Sequence, residues 1–176
     1  MNGIDSESSV RDAQTSLRDP RKRDCAGKPE TTLPHPGPAP CLCVSVAVFR
    51  GGKVLLATRT APPYAGAFSL PGGHVEAGET LAEAALRELA EEVQVEARIV
   101  GFNRHVEAIA RDASGKVSHH YVIASFVGEW IGGEGTPGPE AGQIAWVAPE
   151  RLGGLDGTPE LHAVVAAAAA ILGASR

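Results

Sequence analysis

The chain has 176 residues, 43% hydrophobic and 21% charged, with a formal net charge of −5, which fits one soluble globular domain with length to spare. The acidic balance excludes a sequence-independent nucleic-acid binder, which needs a basic footprint, but not a nucleotide substrate, because a bound cation supplies positive charge locally. No apolar run approaches the ~18 residues that span a bilayer, and the N-terminus has no apolar stretch of signal-peptide type. The expected location is therefore the cytoplasm, with neither a membrane nor a nucleic-acid polymer as partner.

Residues 1–40 are polar and charged, then proline-rich in "TTLPHPGPAP". No helical or strand period persists there, so a disordered extension is expected, with the folded domain over 41–173. "CLCVSVAVF" from Cys41 is β-branched and nearly continuous, as in a buried strand. "RGGK" is a Gly-Gly turn, and "VLLATR" returns as its hairpin partner. Cys25, Cys41 and Cys43 are odd in number for a disulfide framework. No second Cys pair or suitably spaced His pair completes a metal site, so reduced thiols are expected.

"TAPPYAGA" reads as loop and "FSL" as a short strand leading to Pro71-Gly72-Gly73. Thr80 with Glu83 three residues on is a capping box, which starts a helix running to about Val93. "ARIVGFNRHVEAIAR" and "KVSHHYVIASFVGEW" read as two long strands joined by "DASG". Gly and Pro fill 132–142, "QIAWVA" is a short strand, and "PERL" a helical turn. A last helix is expected from Pro159, capped by Thr158 and ended by Gly173. Strands around two separated helices predict the α+β class, an α/β/α sandwich with a mixed sheet.

On the central helix, Glu88 and Glu92 stand nearly one above the other and Glu91 lies to one side. Leu86, Leu89 and Val93 project elsewhere, so an acidic stripe is separate from the core face. Like charges on one turn repel, and Gly72-Gly73 just ahead permit close backbone approach to a ligand. Clustered carboxylates beside a backbone carbonyl are hard oxygen donors suited to Mg²⁺ or Mn²⁺. Arg87 lies among them, where a guanidinium can fix a carboxylate's orientation, with Glu79 placed to partner it.

Gly73, five residues, Glu79, seven residues, Arg87-Glu88-Leu89, one residue, Glu91-Glu92, then Val95: this spacing resembles the signature of the Nudix hydrolases, G-x5-E-x7-R-E-U-x-E-E-x-G-U with U aliphatic. Gln94 departs from it, standing at the late glycine. The resemblance spans about 42–172 and implies the Nudix fold and hydrolysis of a nucleoside diphosphate linked to another group. It implies that Glu88, Glu91 and Glu92, with the Gly73 carbonyl, hold divalent cations, and that Arg87 and Glu79 orient them. Glu140 lies where some members recruit a general base; Glu134 and Glu91 compete for that role. Arg59 is a candidate phosphate contact, and Tyr64 and Phe68 are candidates to stack on a base, Phe68 being also a natural core residue.

His119, His120 and Tyr121 lie on a predicted strand, where alternation turns one imidazole toward a partly apolar side. Trp130 and Trp146 read as packing residues. Members of the family are often homodimers. The run from Val48 to Leu89 is most similar to compact bacterial ADP-ribose pyrophosphatases, which makes ADP-ribose the expected substrate. The alternatives are an oxidised nucleoside triphosphate, NADH, and a non-catalytic nucleotide-sensing domain.

Overall fold

The computed structural model describes residues 37–174. Of the disordered extension expected over residues 1–40, residues 1–36, with Cys25 among them, lie outside the described residues. Seven strands form one sheet: β1 (Cys41–Arg50), β2 (Lys53–Arg59), β3 (Phe68–Ser69), β4 (Gly72–His74), β5 (Glu96–Arg111), β6 (Val117–Gly132) and β7 (Ala141–Val147). Two helices, α1 (Leu81–Val93) and α2 (Leu161–Ala174), pack on it. The path runs β3-β2-β1-β6-β5, with β4 added to β1 and β7 to β2. The β1–β6 pair is parallel and the other pairs are antiparallel, so the sheet is mixed.

Strand alternation sorts β1 between two cores. Val44, Val46 and Val48 face α1, packing with Ala84, Ala85, Leu89 and Val93. Ala47 and Phe49 face α2, packing with Leu161, Val165, Ala168 and Leu172. A sheet buried on both faces explains why "CLCVSVAVF" reads as a continuous apolar run. The architecture is the expected α+β sandwich.

The expected β1–β2 hairpin forms across the Gly-Gly turn, pairing Phe49–Val54 and Arg50–Lys53. Beyond that the strands part: β4 takes Cys43–Ser45 of β1, and β7 and β3 take β2. Two local expectations are corrected. The last helix begins at Leu161 because Glu160 sits at φ +69, outside helical space, and Gly173 lies inside the helix. Cys41 is disulfide-bonded, where a reduced thiol is expected; Cys43 is free and buried. Among the described residues no helix is long and apolar enough to cross a membrane.

Candidate active site

The helix that carries the acids is fixed at both ends. Thr80 Oγ1 accepts from the Glu83 amide at 3.3 Å, and Glu83 Oε2 accepts from the Thr80 amide at 2.8 Å, so the capping box forms as the spacing predicts. At the other end Gln94 takes a left-handed conformation, φ +53, and its amide donates to Ala90 O. The chain then leaves into β5. Two further carbonyls of the last turn are capped from a distance: Gly138 N donates to Glu92 O at 2.7 Å and Thr136 N to Val93 O at 2.9 Å.

The two glycines matter by close approach. Gly72 and Gly73 pair with Ser45 and Val44 of β1. A Cβ on Gly73 would overlap the Glu88 carboxylate, and one on Gly72 would overlap the Val44 carbonyl. Only glycine lets this strand lie so close under the helix. The Gly72 amide donates to Glu92 Oε2 at 2.9 Å, so β4 and α1 are tied through an acid of the site.

Arg87 organises the acids. Its Nε and Nη2 donate to Glu79 Oε2 and Oε1 at 3.0 and 2.7 Å, a two-pronged contact. Nη2 also donates to the His74 carbonyl at 2.9 Å, and Nη1 reaches Glu88 at 3.0 Å and Glu91 at 3.4 Å. Glu79 in turn accepts from the Glu76 amide at 2.6 Å. The bond from Arg87 holds the Glu79 carboxyl below its ordinary range.

Glu88 and Glu92 move the other way. Burial raises the Glu88 carboxyl; Arg87 opposes this, while Glu91 and Glu140 add to it. Burial pushes Glu92 up to about 7; the Gly72 amide opposes, Glu88 and Glu140 add, and Arg59 opposes. Glu91 is the exposed member, with 58% of its side chain accessible against 16% for Glu88. Half-buried carboxylates that repel one another and outnumber their cationic neighbours form a site short of positive charge. Their hard oxygens fit Mg²⁺ or Mn²⁺.

The remaining expected residues divide. Glu140 ends the loop before β7, and its charge reaches Glu88 and Glu92. Its own carbonyl accepts from Thr60 Oγ1 at 2.8 Å. Glu134, its competitor, forms a fork with Arg50 at 2.8 and 3.2 Å, an ion pair that employs it elsewhere. Arg59 ends β2, donates to Pro63 O at 2.9 Å, and acts on Glu92 and Cys43. Tyr64 is exposed, at φ +66, in the loop after Arg59. Phe68 packs against the α2-side core, so Tyr64 is the ring this loop leaves open.

Further residues complete the surroundings; of these His74 and Thr60 are not singled out by the sequence. The His74 carbonyl fixes Arg87, Thr60 fixes Glu140, and Cys43 sits beside the acids, its thiol pushed up to about 11 by burial and then by Glu88. Tyr121 meets His74 edge-on at 6.0 Å and stacks with His119 at 5.8 Å. Alternation along β6 places His119 beside Tyr121 and turns His120 the other way, where its Nε2 is buried without a partner. Ligand atoms of Cys41, Cys43 and His74 lie within 4.8 Å of one another. The disulfide at Cys41 takes one of the two thiolates away, so the trio is not a soft-metal site.

Comparisons with known proteins agree with this geometry. The profile of the NUDIX domain matches residues 40–168. An ADP-ribose pyrophosphatase of Methanocaldococcus jannaschii is 34% identical over 102 residues, 58% of this chain and 58% of that protein. A Mycobacterium tuberculosis protein provisionally named 8-oxo-dGTP diphosphatase 2 is 52% identical over 56 residues, 31% of this chain and 40% of its own length. The matches thus span well under two thirds of these two relatives. The crystal structure of a MutT NUDIX hydrolase from Burkholderia pseudomallei superposes with a TM-score of 0.59 at 26% identity, covering 74% of this chain and 96% of that one. Sheet, helix and acids therefore converge on one assignment: the chain belongs to the NUDIX family.

Proposed function

We propose that the chain is a divalent-cation-dependent hydrolase of nucleoside diphosphates linked to a second group, with ADP-ribose, cleaved to AMP and ribose 5-phosphate, as its first substrate. The observation that carries this reading is the set Glu88, Glu91 and Glu92 on the last turns of α1, held against Gly73 and oriented by the Arg87–Glu79 pair. A pure nucleotide sensor has no need of three clustered carboxylates at a helix end. The similarity to the M. jannaschii ADP-ribose pyrophosphatase supports the substrate.

Glu88, Glu91, Glu92 and the Gly73 carbonyl are the groups that would hold Mg²⁺, with Mn²⁺ as substitute. Such a cation neutralises the diphosphate, which otherwise repels an attacking oxygen. The chain's own residues do the rest. Arg87 keeps Glu88 turned toward Gly73, and Glu79 keeps Arg87 from swinging to solvent. Arg59 meets a phosphate oxygen, and Tyr64 lies against the base. Glu140 accepts a proton from water as the water oxygen bonds to phosphorus. The P–O bond of the bridging oxygen breaks, and its electron pair leaves with the departing phosphate. Proton acceptance by a carboxylate requires it ionised and within reach of the water; the charge that Glu140 exerts on Glu88 and Glu92 supports its assignment to this role. The cytoplasm is the proposed location.

Sanitation of an oxidised nucleoside triphosphate is the rival, favoured by the M. tuberculosis similarity. The test is a panel of ADP-ribose, NADH, diadenosine polyphosphates and oxidised triphosphates, each with Mg²⁺ and with Mn²⁺, compared by kcat/KM. ADP-ribose should lead. A triphosphate preferred about tenfold, roughly 1.4 kcal/mol of discrimination, overturns the substrate and leaves the reaction class. No turnover of any member with either cation overturns both.

A further inference from the structure

Arg50 closes β1 immediately before the Gly51-Gly52 turn. Its guanidinium carbon lies 4.3 Å from the centre of the Trp130 ring and 5.7 Å from that of Trp146. Two nitrogens form the fork to Glu134. Both indoles add a bond to the same stretch of chain: Trp130 Nε1 donates to Gly133 O at 2.7 Å, and Trp146 Nε1 to Glu134 O at 3.1 Å. The ends of β1, β6 and β7 thus meet on two consecutive residues, Gly133 and Glu134. The ion pair alone is exposed and weak. Stacking on two indoles and bonds to backbone carbonyls make the cluster directional.

Just beyond Glu134 the chain caps α1. Thr136 and Gly138 donate to Val93 O and Glu92 O, and a Cβ on Gly138 would overlap the Glu91 carbonyl. Two residues later comes Glu140, its carbonyl held by Thr60. The loop is therefore fixed at its start by Arg50 and the tryptophans, in its middle on the turn that carries Glu91 and Glu92, and at its end beside Thr60.

We infer that Arg50, clasped by Trp130, Trp146 and Glu134, is a positioning residue for the 133–140 loop, setting its register on the last turn of α1 and thereby the placement of Glu140. The role of Glu140 as proton acceptor rests on the proposed function; the seating of the loop does not. Arg50 acts only through the loop, by way of Glu134 and the two indoles. Its planar guanidinium is required, because a lysine retains the charge but neither the fork nor the stacking.

The test combines amide hydrogen exchange with a double-mutant cycle. In Arg50→Ala, exchange at Thr136 and Gly138 should quicken at least tenfold, while amides of β1 and β6 keep wild-type protection. Its kcat should fall at least fivefold with KM within twofold, and Arg50→Lys should not rescue it. In a Glu140→Gln background, Arg50→Ala should change kcat by less than twofold, because the loop no longer carries a functional base. Trp146→Phe, which keeps an aromatic ring and removes the N–H given to Glu134, is the milder variant if Arg50→Ala folds poorly, with the same exchange pattern expected. Unchanged exchange, or an equal loss of kcat in both backgrounds, overturns the inference. Wild-type turnover by Glu140→Gln alone overturns the base assignment instead, and the exchange result then decides for or against the clasp.

Discussion

Arg87 grips Glu79 through both carboxylate oxygens, at 3.0 and 2.7 Å, while its third nitrogen turns back to Glu88 at 3.0 Å. One guanidinium thus links the loop before α1 to an acid on α1, and its bond to His74 O ties in β4 as well. The contact is geometric as much as electrostatic, since only the fork matches both oxygens at once. Arg87→Lys should lower kcat/KM by about 10- to 100-fold, the usual effect of removing a partner that orients a ligand. The cation concentration needed for half-maximal activity should rise with it. Glu79→Gln should fall in the same range. Rates within twofold of wild type for both variants would remove the orienting role.

Glu88 and Glu92 are the half-buried acids, and Glu91 is the exposed one. Changing Glu91 and Glu92 together to Gln should remove nearly all turnover. Circular dichroism should match wild type and the metal-free protein should melt no lower than wild type, since two repelling charges are lost and no core side chain is touched. Mn²⁺ binding, followed by the loss of its free electron-spin signal, should weaken at least tenfold. Activity retained within a few-fold would place the site elsewhere.

The sequence makes this helix legible because its determinants are local. Thr80 and Glu83 cap it, Leu89 and Val93 set its buried face, and Glu88, Glu91 and Glu92 stand out because their spacing matches a family signature. The supports of the site are not local. Glu134 is engaged by Arg50, 84 residues before it. The closeness of Gly73 to Glu88 depends on β4 leaving the loop to pair with Cys43–Ser45 of β1, beyond the hairpin that the Gly-Gly turn makes. The His74 carbonyl and the Thr60 hydroxyl carry no pattern at all, because any residue offers a carbonyl and many offer a hydroxyl. The boundary of α2 moved for a similar reason, since backbone strain at Glu160 has no signature in residue type.

The proton on Glu92 gives a pH dependence with a definite sign. Its native value of about 7 lies above the ordinary carboxyl value of 4.5, chiefly through burial. The native state therefore binds more protons than the unfolded state between those values, and metal-free stability falls as pH rises from about 4.5 through 7. The contribution is on the order of 3 kcal/mol. Glu79 has the opposite sign, its stabilisation being lost as pH falls below the ordinary carboxyl range, whereas Glu88 is raised as well and shares the sign of Glu92, so it is the comparison with Glu92→Gln from about pH 5 to 8 that isolates Glu92. Melting in EDTA should show the wild type losing stability across that window relative to Glu92→Gln. Parallel curves for the two proteins would contradict the buried, protonated Glu92. Saturating Mg²⁺ should recover the loss at the upper end, because the cation favours the carboxylate that the apolar surroundings disfavour.

Gln94 stands where the family signature has glycine, and the structure puts it at φ +53 and ψ +43. A side chain in this left-handed region costs ~1 kcal/mol or more relative to glycine. Glycine also releases more chain entropy on unfolding, which takes back ~0.5–1 kcal/mol. The two terms nearly cancel, with the conformational strain the larger at a residue whose amide already closes the helix onto Ala90 O. Gln94→Gly should therefore raise the melting temperature by a few degrees at most. It should leave kcat and KM within twofold, because Gln94 is exposed and offers no ligand to the acids. There is one constraint on the exchange: Gly133 packs so closely on the Gln94 carbonyl that a Cβ there would overlap it. The backbone at 94 must hold its present path for the clasped loop to reach α1. A large fall in stability or in kcat would mean that the Gln94 side chain fixes that path, and that the departure from the signature is compensated by contacts of its own.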